Sequence, residues 1–165
     1  MDEQFVLYKT NVMISEQTRN YGAVISSLID AAQREIKIRK LYPDAPGVYL
    51  VDGHISLYAK YSSNRRGPWG FTFQAQHIDR LEELIGKFGA CVVALVCGTD
   101  GIVALRYDEF SRIVSIGSSG QKSIGVKRKL NRMYSVTGTS GSLSHKISRN
   151  SLLEAVQSYE NRKEV

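Results

Sequence analysis

The order of apolar and polar positions predicts a helix followed by a sheet at the start of the chain. Apolar residues between Tyr21 and Ala32 recur at helical spacing, which predicts an amphipathic helix with Ser15 as a possible N-cap. Residues 36–40 then alternate apolar and basic side chains, which predicts a first strand. This part of the chain therefore indicates a helix packed on a sheet.

Residues 47–61 predict a β-hairpin. Asp52 and Gly53 lie between two β-rich runs, and both residue types tolerate the positive φ of a tight hairpin turn. In the second run, alternation places a core face at Ile55, Leu57, Ala59 and Tyr61. The other face, available for chemistry or solvent, carries His54, Ser56, Tyr58 and Lys60. Because a hairpin reverses the chain, Asp44, which precedes the first strand, is expected close to Lys60.

Further along, the pattern predicts a loop, a helix and two strands. The Gly- and Pro-punctuated stretch 62–73 is expected to be a loop with Trp69 packed beneath it. A helical stripe then runs from Phe73 to Phe88 and stops at the next glycine. The unbroken apolar run 91–97 predicts a strand covered on both faces, and residues 102–107 predict another strand.

Length and composition favour one mixed α/β domain. Its 165 residues divide into a core at about 15–114, a basic, Gly- and Ser-rich, β-rich extension at about 115–150, and a terminal helix or tail at 151–165. Cys91 and Cys97 lie too far apart in one apolar run to bridge each other, which favours reduced core residues of a cytoplasmic protein. No apolar span long enough for a membrane is seen, so no membrane partner is expected.

Charge adds the first functional indication. The formal net charge is +6, and the extension contains no acid. Its cations are Lys122, Lys127, Arg128, Lys129, Arg132, Lys146 and Arg149. Together with Arg65 and Arg66 of the predicted loop, they are expected to contact the DNA backbone. An acidic protein that meets this basic face is the alternative partner.

Asp44 and Lys60 are the candidate pair for phosphodiester hydrolysis. An aspartate can hold Mg²⁺ or Mn²⁺, the metal activates water, and a lysine supports the attack. A second carboxylate is needed, and the candidates are Glu16 before the first helix and, with weaker support, Glu35 or Asp52. Pro-Asp pairs and strand lysines are also common in turns and on solvated faces, which is the alternative interpretation.

This order of residues and elements resembles the restriction-endonuclease-like superfamily, the PD-(D/E)-x-K nucleases. The resemblance covers about residues 15–107 and rests on Pro43-Asp44, on the hairpin that carries Lys60, and on the neighbouring helices and strands. Small archaeal Holliday-junction resolvases and intron-encoded homing endonucleases of this fold are the nearest comparisons in size. The resemblance implies a mixed sheet flanked by helices, to which the basic extension is added.

The resemblance also implies roles for individual residues. Asp44 corresponds to the metal-binding aspartate of the motif and Lys60 to its lysine. Glu16 resembles a glutamate that some members place at the start of the first helix, where it completes the metal site. Gln74 or Gln76 resembles the glutamine that several members carry on the helix after the lysine strand.

Tyr58 occupies the position at which the motif has an acid. Tyrosine is uncharged at neutral pH and a poor Mg²⁺ ligand. In a second alignment of the motif, Tyr49 takes the place of the aspartate, and Lys60 is then the one motif residue that this sequence retains. Two functions therefore compete. One is a Mg²⁺-dependent DNA endonuclease that acts as a homodimer or homotetramer. The other is a protein of this fold that binds duplex or branched DNA without cutting it.

Overall fold

Nine strands form two sheets in the computed structural model, which describes residues 13–162. In chain order the strands are β1 (Ile38–Lys40), β2 (Val48–Val51), β3 (Ile55–Ser62), β4 (Trp69–Phe73), β5 (Cys91–Cys97), β6 (Gly101–Arg106), β7 (Lys122–Lys127), β8 (Ser135–Gly138) and β9 (Gly141–Ser142). The larger sheet has the order β1-β2-β3-β5-β6. Its β3–β5 pair is parallel, whereas the other neighbouring strands are antiparallel, so the sheet is mixed.

Four helices cover this mixed sheet. They are α1 (Glu16–Ala32), α2 (Ala75–Phe88), α3 (Tyr107–Val114) and α4 (Ser151–Asn161). Side chains of α1 and α4 pack into one apolar cluster with Leu57 and Ala59 of β3. Side chains of α2 and α3 pack into a second cluster with Tyr58, on the opposite face. The predicted α/β architecture, a mixed sheet flanked by helices, is therefore confirmed.

The sequence pattern predicted several element bounds because their signals are local. Ser15 caps α1, and its Oγ accepts a hydrogen bond from the Thr18 backbone N–H at 3.0 Å. Both turn residues of the β2–β3 hairpin, Asp52 and Gly53, have positive φ, as the turn requires. The strand β5 is buried along its whole length, and α4 begins where the terminal helix was expected.

The prediction that residues 62–73 form only a loop is wrong. Trp69 to Phe73 form β4, which pairs with β7 of the basic extension in a second sheet ordered β4-β7-β8-β9. This sheet shares its apolar cluster with α2 and α3. Phe73 consequently ends a strand and does not belong to the helical stripe. Trp69 is buried, as expected, and its indole N–H donates to the Asn64 carbonyl at 3.0 Å.

The prediction of one core face and one open face for β3 is also wrong. Ser56 is fully buried, with its hydroxyl donating to the Ala90 carbonyl at 2.7 Å, and Tyr58 is only 7% exposed. Alternation sets which face a side chain takes, but α2 and the second sheet cover the face that was expected to be open.

Cys91 and Cys97 are buried free thiols. Among residues 13–162, no helix combines the length and apolar content needed to span a membrane.

Candidate functional site

Lys60 lies near the end of β3, between the sheet and α2. Its Nζ is 3.5 Å from His77 Nδ1 and 4.9 Å from the centre of the Phe73 ring. The Gln74 backbone N–H also donates to His77 Nδ1, at 3.0 Å, which places the proton of the neutral ring on Nε2. Burial lowers the pKa of Lys60, and burial together with repulsion from Lys60 lowers the pKa of His77. The lysine is therefore a half-buried ammonium held against an imidazole and an aromatic ring.

Tyr58 fills the position two residues before Lys60, on the same face of β3. Its ring lies 6.5 Å from that of Phe73, measured between centres, and belongs to the apolar cluster beneath α2. Burial raises the pKa of Tyr58 to about 12. The phenol is therefore neutral at physiological pH and offers no charge to a metal ion.

The two carboxylates expected to join Lys60 lie on different elements. Asp44 is exposed in the turn between β1 and β2. Glu16 is exposed in the first turn of α1, a helix on the face of the sheet opposite to α2. Glu16 lines a cavity on that side, which neither Asp44 nor Lys60 lines.

The other polar candidates have structural roles or are exposed. Asp52 accepts hydrogen bonds from the Arg34 guanidinium at 2.8 Å and from the Lys37 backbone N–H at 3.0 Å. Gln74 is the N-cap of α2. The exposed candidates are Glu35 and Gln76.

The side chains that contact Lys60 do not make a Mg²⁺ or Mn²⁺ site. Magnesium prefers carboxylate, phosphate and water oxygens in an octahedral arrangement. The side chains in contact with Lys60 are the His77 imidazole and the Phe73 ring, and the Tyr58 phenol lies against the same Phe73 ring. Across the part of the chain that the structure describes, no group of three or more His, Cys, Asp or Glu residues could hold a metal ion.

A cavity of about 830 Å³ lies where α1 and α4 approach the carboxyl ends of β3 and β5. Three arginines line it. Arg19 belongs to α1, Arg65 follows β3, and Arg149 lies two residues before the start of α4. Glu16 is the acid among its lining residues, so the lining carries three formal positive charges and one negative. Its neutral polar lining includes Asn20, Ser62, Ser63, Thr99 and Asn150. The composition suits an anionic ligand with several hydrogen-bond acceptors.

Asp100, in the turn between β5 and β6, connects this cavity to the basic extension. The Arg128 guanidinium donates to both of its carboxylate oxygens at 2.5 Å, and the Tyr134 hydroxyl donates to Oδ2 at 2.6 Å. Arg149 donates to the Asp100 backbone carbonyl at 2.8 Å. The bond from Arg128 is the main cause of the lowered pKa of Asp100. Arg128 is thus held by an ion pair within the fold.

The remaining cations predicted to contact DNA differ in exposure. Lys122 is buried at 4% exposure, and its ammonium donates to the Ser118 hydroxyl. Lys146 is exposed and donates to Ser135. The other exposed cations are Arg66, Lys127, Lys129 and Arg132.

Two residues of this region were not foreseen from the sequence. Arg19 contributes to the cavity from α1, and its one signal is its place on the polar face of the predicted helix. His77 was expected on the apolar stripe of the second helix, and the structure places its ring beside Lys60. Both contacts depend on how helices pack on the sheet, which local spacing does not specify.

Along the chain, the described elements run from α1 through β1 and the β2–β3 hairpin that carries Lys60 to β4, α2 and β5. The fold is therefore mixed α/β, with helices on both faces of a mixed sheet and with Tyr58 two residues before Lys60 on β3.

Among solved structures, the chain is similar to Hjc, a Holliday junction resolvase from the archaeal hyperthermophile Archaeoglobus fulgidus. The match covers 70% of this chain and 79% of that chain, with 15% sequence identity and a TM-score of 0.42. Similarity at this level supports no conclusion about activity or substrate. No protein-family model matches the chain, and no curated protein does.

Proposed function

We propose that this chain binds duplex or branched DNA through a basic surface on a nuclease-type core, without hydrolysing it. The observation that carries the proposal is the arginine-lined cavity. Arg19, Arg65 and Arg149 reach it from three separate elements, and Glu16 is the one acid among its described lining residues. Guanidinium groups bind phosphate oxygens with charge-assisted hydrogen bonds, and a DNA backbone presents those oxygens in series.

The contacts of Lys60 support binding without cleavage. Its neighbours His77 and Phe73 supply no carboxylate, and Tyr58 stays neutral in the position where an acid would hold the metal. Hydrolysis of a phosphodiester at this place would need a metal and an oriented water. Neither of these two contacts of Lys60 supplies a charged oxygen.

Binding is tested by fluorescence anisotropy of a labelled duplex and a labelled four-way junction across a series of salt concentrations. We expect Arg65→Gln to weaken binding and to reduce the slope of log K against log salt by about one. The matched control is Arg39→Gln, which removes an equal charge from an exposed residue of β1 outside the cavity lining. Equal effects of the two variants would contradict a role for the cavity.

A competition experiment with unlabelled DNA distinguishes DNA from an acidic protein as the partner of the basic face. Mixed-sequence DNA should displace the labelled duplex at concentrations near its own dissociation constant. No measurable binding of the wild-type chain to either DNA, at low salt, would overturn the proposal and favour an acidic protein as the partner of the basic face.

A Mg²⁺-dependent endonuclease is the second candidate. It is favoured by the lowered pKa of the half-buried Lys60, since perturbed lysines are common at catalytic sites, and by the exposure of Asp44 and Glu16. Supercoiled plasmid and branched DNA incubated with Mg²⁺ or Mn²⁺ test it. Binding without cleavage is expected of the wild type. Metal-dependent nicking that is lost in both Asp44→Ala and Lys60→Ala would establish the enzyme instead.

We also propose an oligomeric state and a cellular compartment for the protein. Double-strand cleavage uses two sites related by symmetry, so a homodimer or homotetramer accompanies the nuclease alternative. Sedimentation of the chain alone and with duplex DNA tests this. The buried free thiols of Cys91 and Cys97 support a reducing compartment, for which we propose the cytoplasm.

A further inference from the structure

The connection between β7 and β8 presents an apolar side chain at its tip. The Arg132 N–H donates to the Lys129 carbonyl at 3.0 Å, which closes a tight turn. Asn131 has a φ of +60°, a conformation that asparagine tolerates better than most residues. Leu130 precedes it at the tip and is 82% exposed, and Met133 is 46% exposed.

The base of this turn is fixed to the core. Arg128 is paired with Asp100, and its guanidinium carbon lies 5.6 Å from the centre of the Tyr134 ring. Tyr134 is fully buried and exchanges two backbone hydrogen bonds with Ile147, at 2.9 and 2.8 Å. The turn is therefore a short projection on a packed support.

Asp100 also places the turn beside the cavity. Its carboxylate holds Arg128 at the base of the turn, and its backbone carbonyl accepts from Arg149, which lines the cavity. Thr99, the preceding residue, lines the cavity as well. The base of the turn therefore lies beside the rim of the cavity.

Cations flank the exposed leucine on both sides in the chain. Lys127, Lys129 and Arg132 are exposed, and the chain contains no acid between residues 115 and 150. A single exposed leucine is ordinary on a protein surface. Here it stands at the tip of a supported turn with positive charge on both sides of it in the chain. DNA-bending proteins combine these same features, because cations neutralise the phosphates while an apolar side chain enters between two base pairs.

We propose that Leu130 is an apolar wedge that inserts between adjacent base pairs of duplex DNA from the minor groove, while Lys129 and Arg132 contact the flanking phosphates. The inference rests on the proposed DNA binding and adds to it the mode of contact. Duplex DNA is favoured over a membrane surface because one leucine and a half-exposed Met133 provide too little apolar area for stable anchoring.

The test uses a duplex with 2-aminopurine at single positions and a second duplex labelled at both ends for energy transfer. Wild-type protein is expected to raise 2-aminopurine fluorescence at one step and to shorten the end-to-end distance, since a wedge unstacks and bends the helix. Leu130→Ala should lose both signals and bind about tenfold more weakly, with an unchanged salt slope. Arg132→Gln should lower the slope by about one and keep the fluorescence signal.

The matched control is Ile29→Ala, which truncates an apolar side chain of α1 that is 49% exposed and should alter neither signal. If wild-type protein binds DNA and Leu130→Ala matches it in affinity and fluorescence, the wedge is wrong and the proposed function stands. If wild-type protein binds no DNA, both are wrong. If Leu130→Ala loses binding to anionic phospholipid vesicles while its DNA binding is unchanged, the tip contacts lipid and the wedge is overturned.

Discussion

Lys60 and His77 are two basic groups held 3.5 Å apart between β3 and α2. Burial lowers the pKa of both, and the lysine charge lowers that of His77 further. We expect an NMR titration to place the His77 pKa below 6.5 and to show that Lys60→Met moves it upward. Methionine keeps the apolar stem against Phe73 but removes the charge.

Lys60→Arg is the control, because it keeps the charge and should leave the His77 pKa low. His77→Gln assigns the resonance while retaining an acceptor for the Gln74 N–H at the start of α2. An unchanged His77 pKa in Lys60→Met would show that the lysine charge does not reach the imidazole.

Tyr58 and Lys60 show how far sequence spacing predicts a site. Alternation along β3 places both side chains on one face, and the structure agrees. Alternation says nothing about what covers that face. The neighbours of Lys60 come from α2 and β4, so its contact with His77 depends on packing between elements that are distant in sequence.

Some helices and strands are determined by residues next to each other in the chain, and others by partners that are distant in the chain. The hairpin of β2 and β3 is predictable because its turn chemistry and its strands lie next to each other in the chain. β4 carries an alternating signal at Trp69, Phe71 and Phe73, which the surrounding Gly and Pro residues obscured. Its partner β7 lies beyond two helices and two strands, and only their packing makes β4 a strand.

Gly138, in β8, marks a close approach between the second sheet and α3. A Cβ at this position would lie 2.2 Å from the Ile113 carbonyl oxygen, near the end of α3. We expect Gly138→Ala to lower the free energy of unfolding by about 3 kcal/mol, because backbone atoms must move apart. Urea denaturation followed by circular dichroism measures the change.

Gly125, in the neighbouring strand β7, is the matched control. A Cβ there would meet its nearest atom, the Thr137 carbonyl oxygen, at 3.9 Å, an ordinary contact. Gly125→Ala should therefore change stability by no more than about 0.5 kcal/mol. Similar losses in the two variants would mean that intrinsic glycine preferences, and not the approach of α3, govern these strands.

Across the molecule, the positive charge was predictable and its geometry was not. The sequence places seven cations in the extension, but Lys122 is buried and Arg128 is paired with Asp100. Arg19, far from the extension in the chain, lies at the cavity. Composition reports a sum of charges, whereas a binding surface depends on which side chains the tertiary fold leaves exposed together.

Asp100, in a turn of the larger sheet, holds Arg128 and Tyr134 next to the second sheet and accepts a hydrogen bond from Arg149 at the cavity. We expect its titration to change the stability of the fold. The ion pair with Arg128 holds its pKa below the ordinary 3.8. A carboxyl with a lowered folded-state pKa contributes stability that is fully present above its unfolded pKa and is lost as pH falls through its folded pKa.

Asp100→Asn should therefore be less stable than wild type near neutral pH, and the difference should shrink as the pH falls below 3.8. Urea midpoints measured at several pH values give this difference directly. Asp44→Asn, which changes an exposed aspartate of the β1–β2 turn, is the control and should differ little from wild type. If the stability difference between Asp100→Asn and wild type stays constant down to strong acid, the loss of the carboxylate charge is not what destabilises the variant. The Arg128 contact would then act through shape and hydrogen bonding, and the turn that presents Leu130 would not depend on the ion pair for its support.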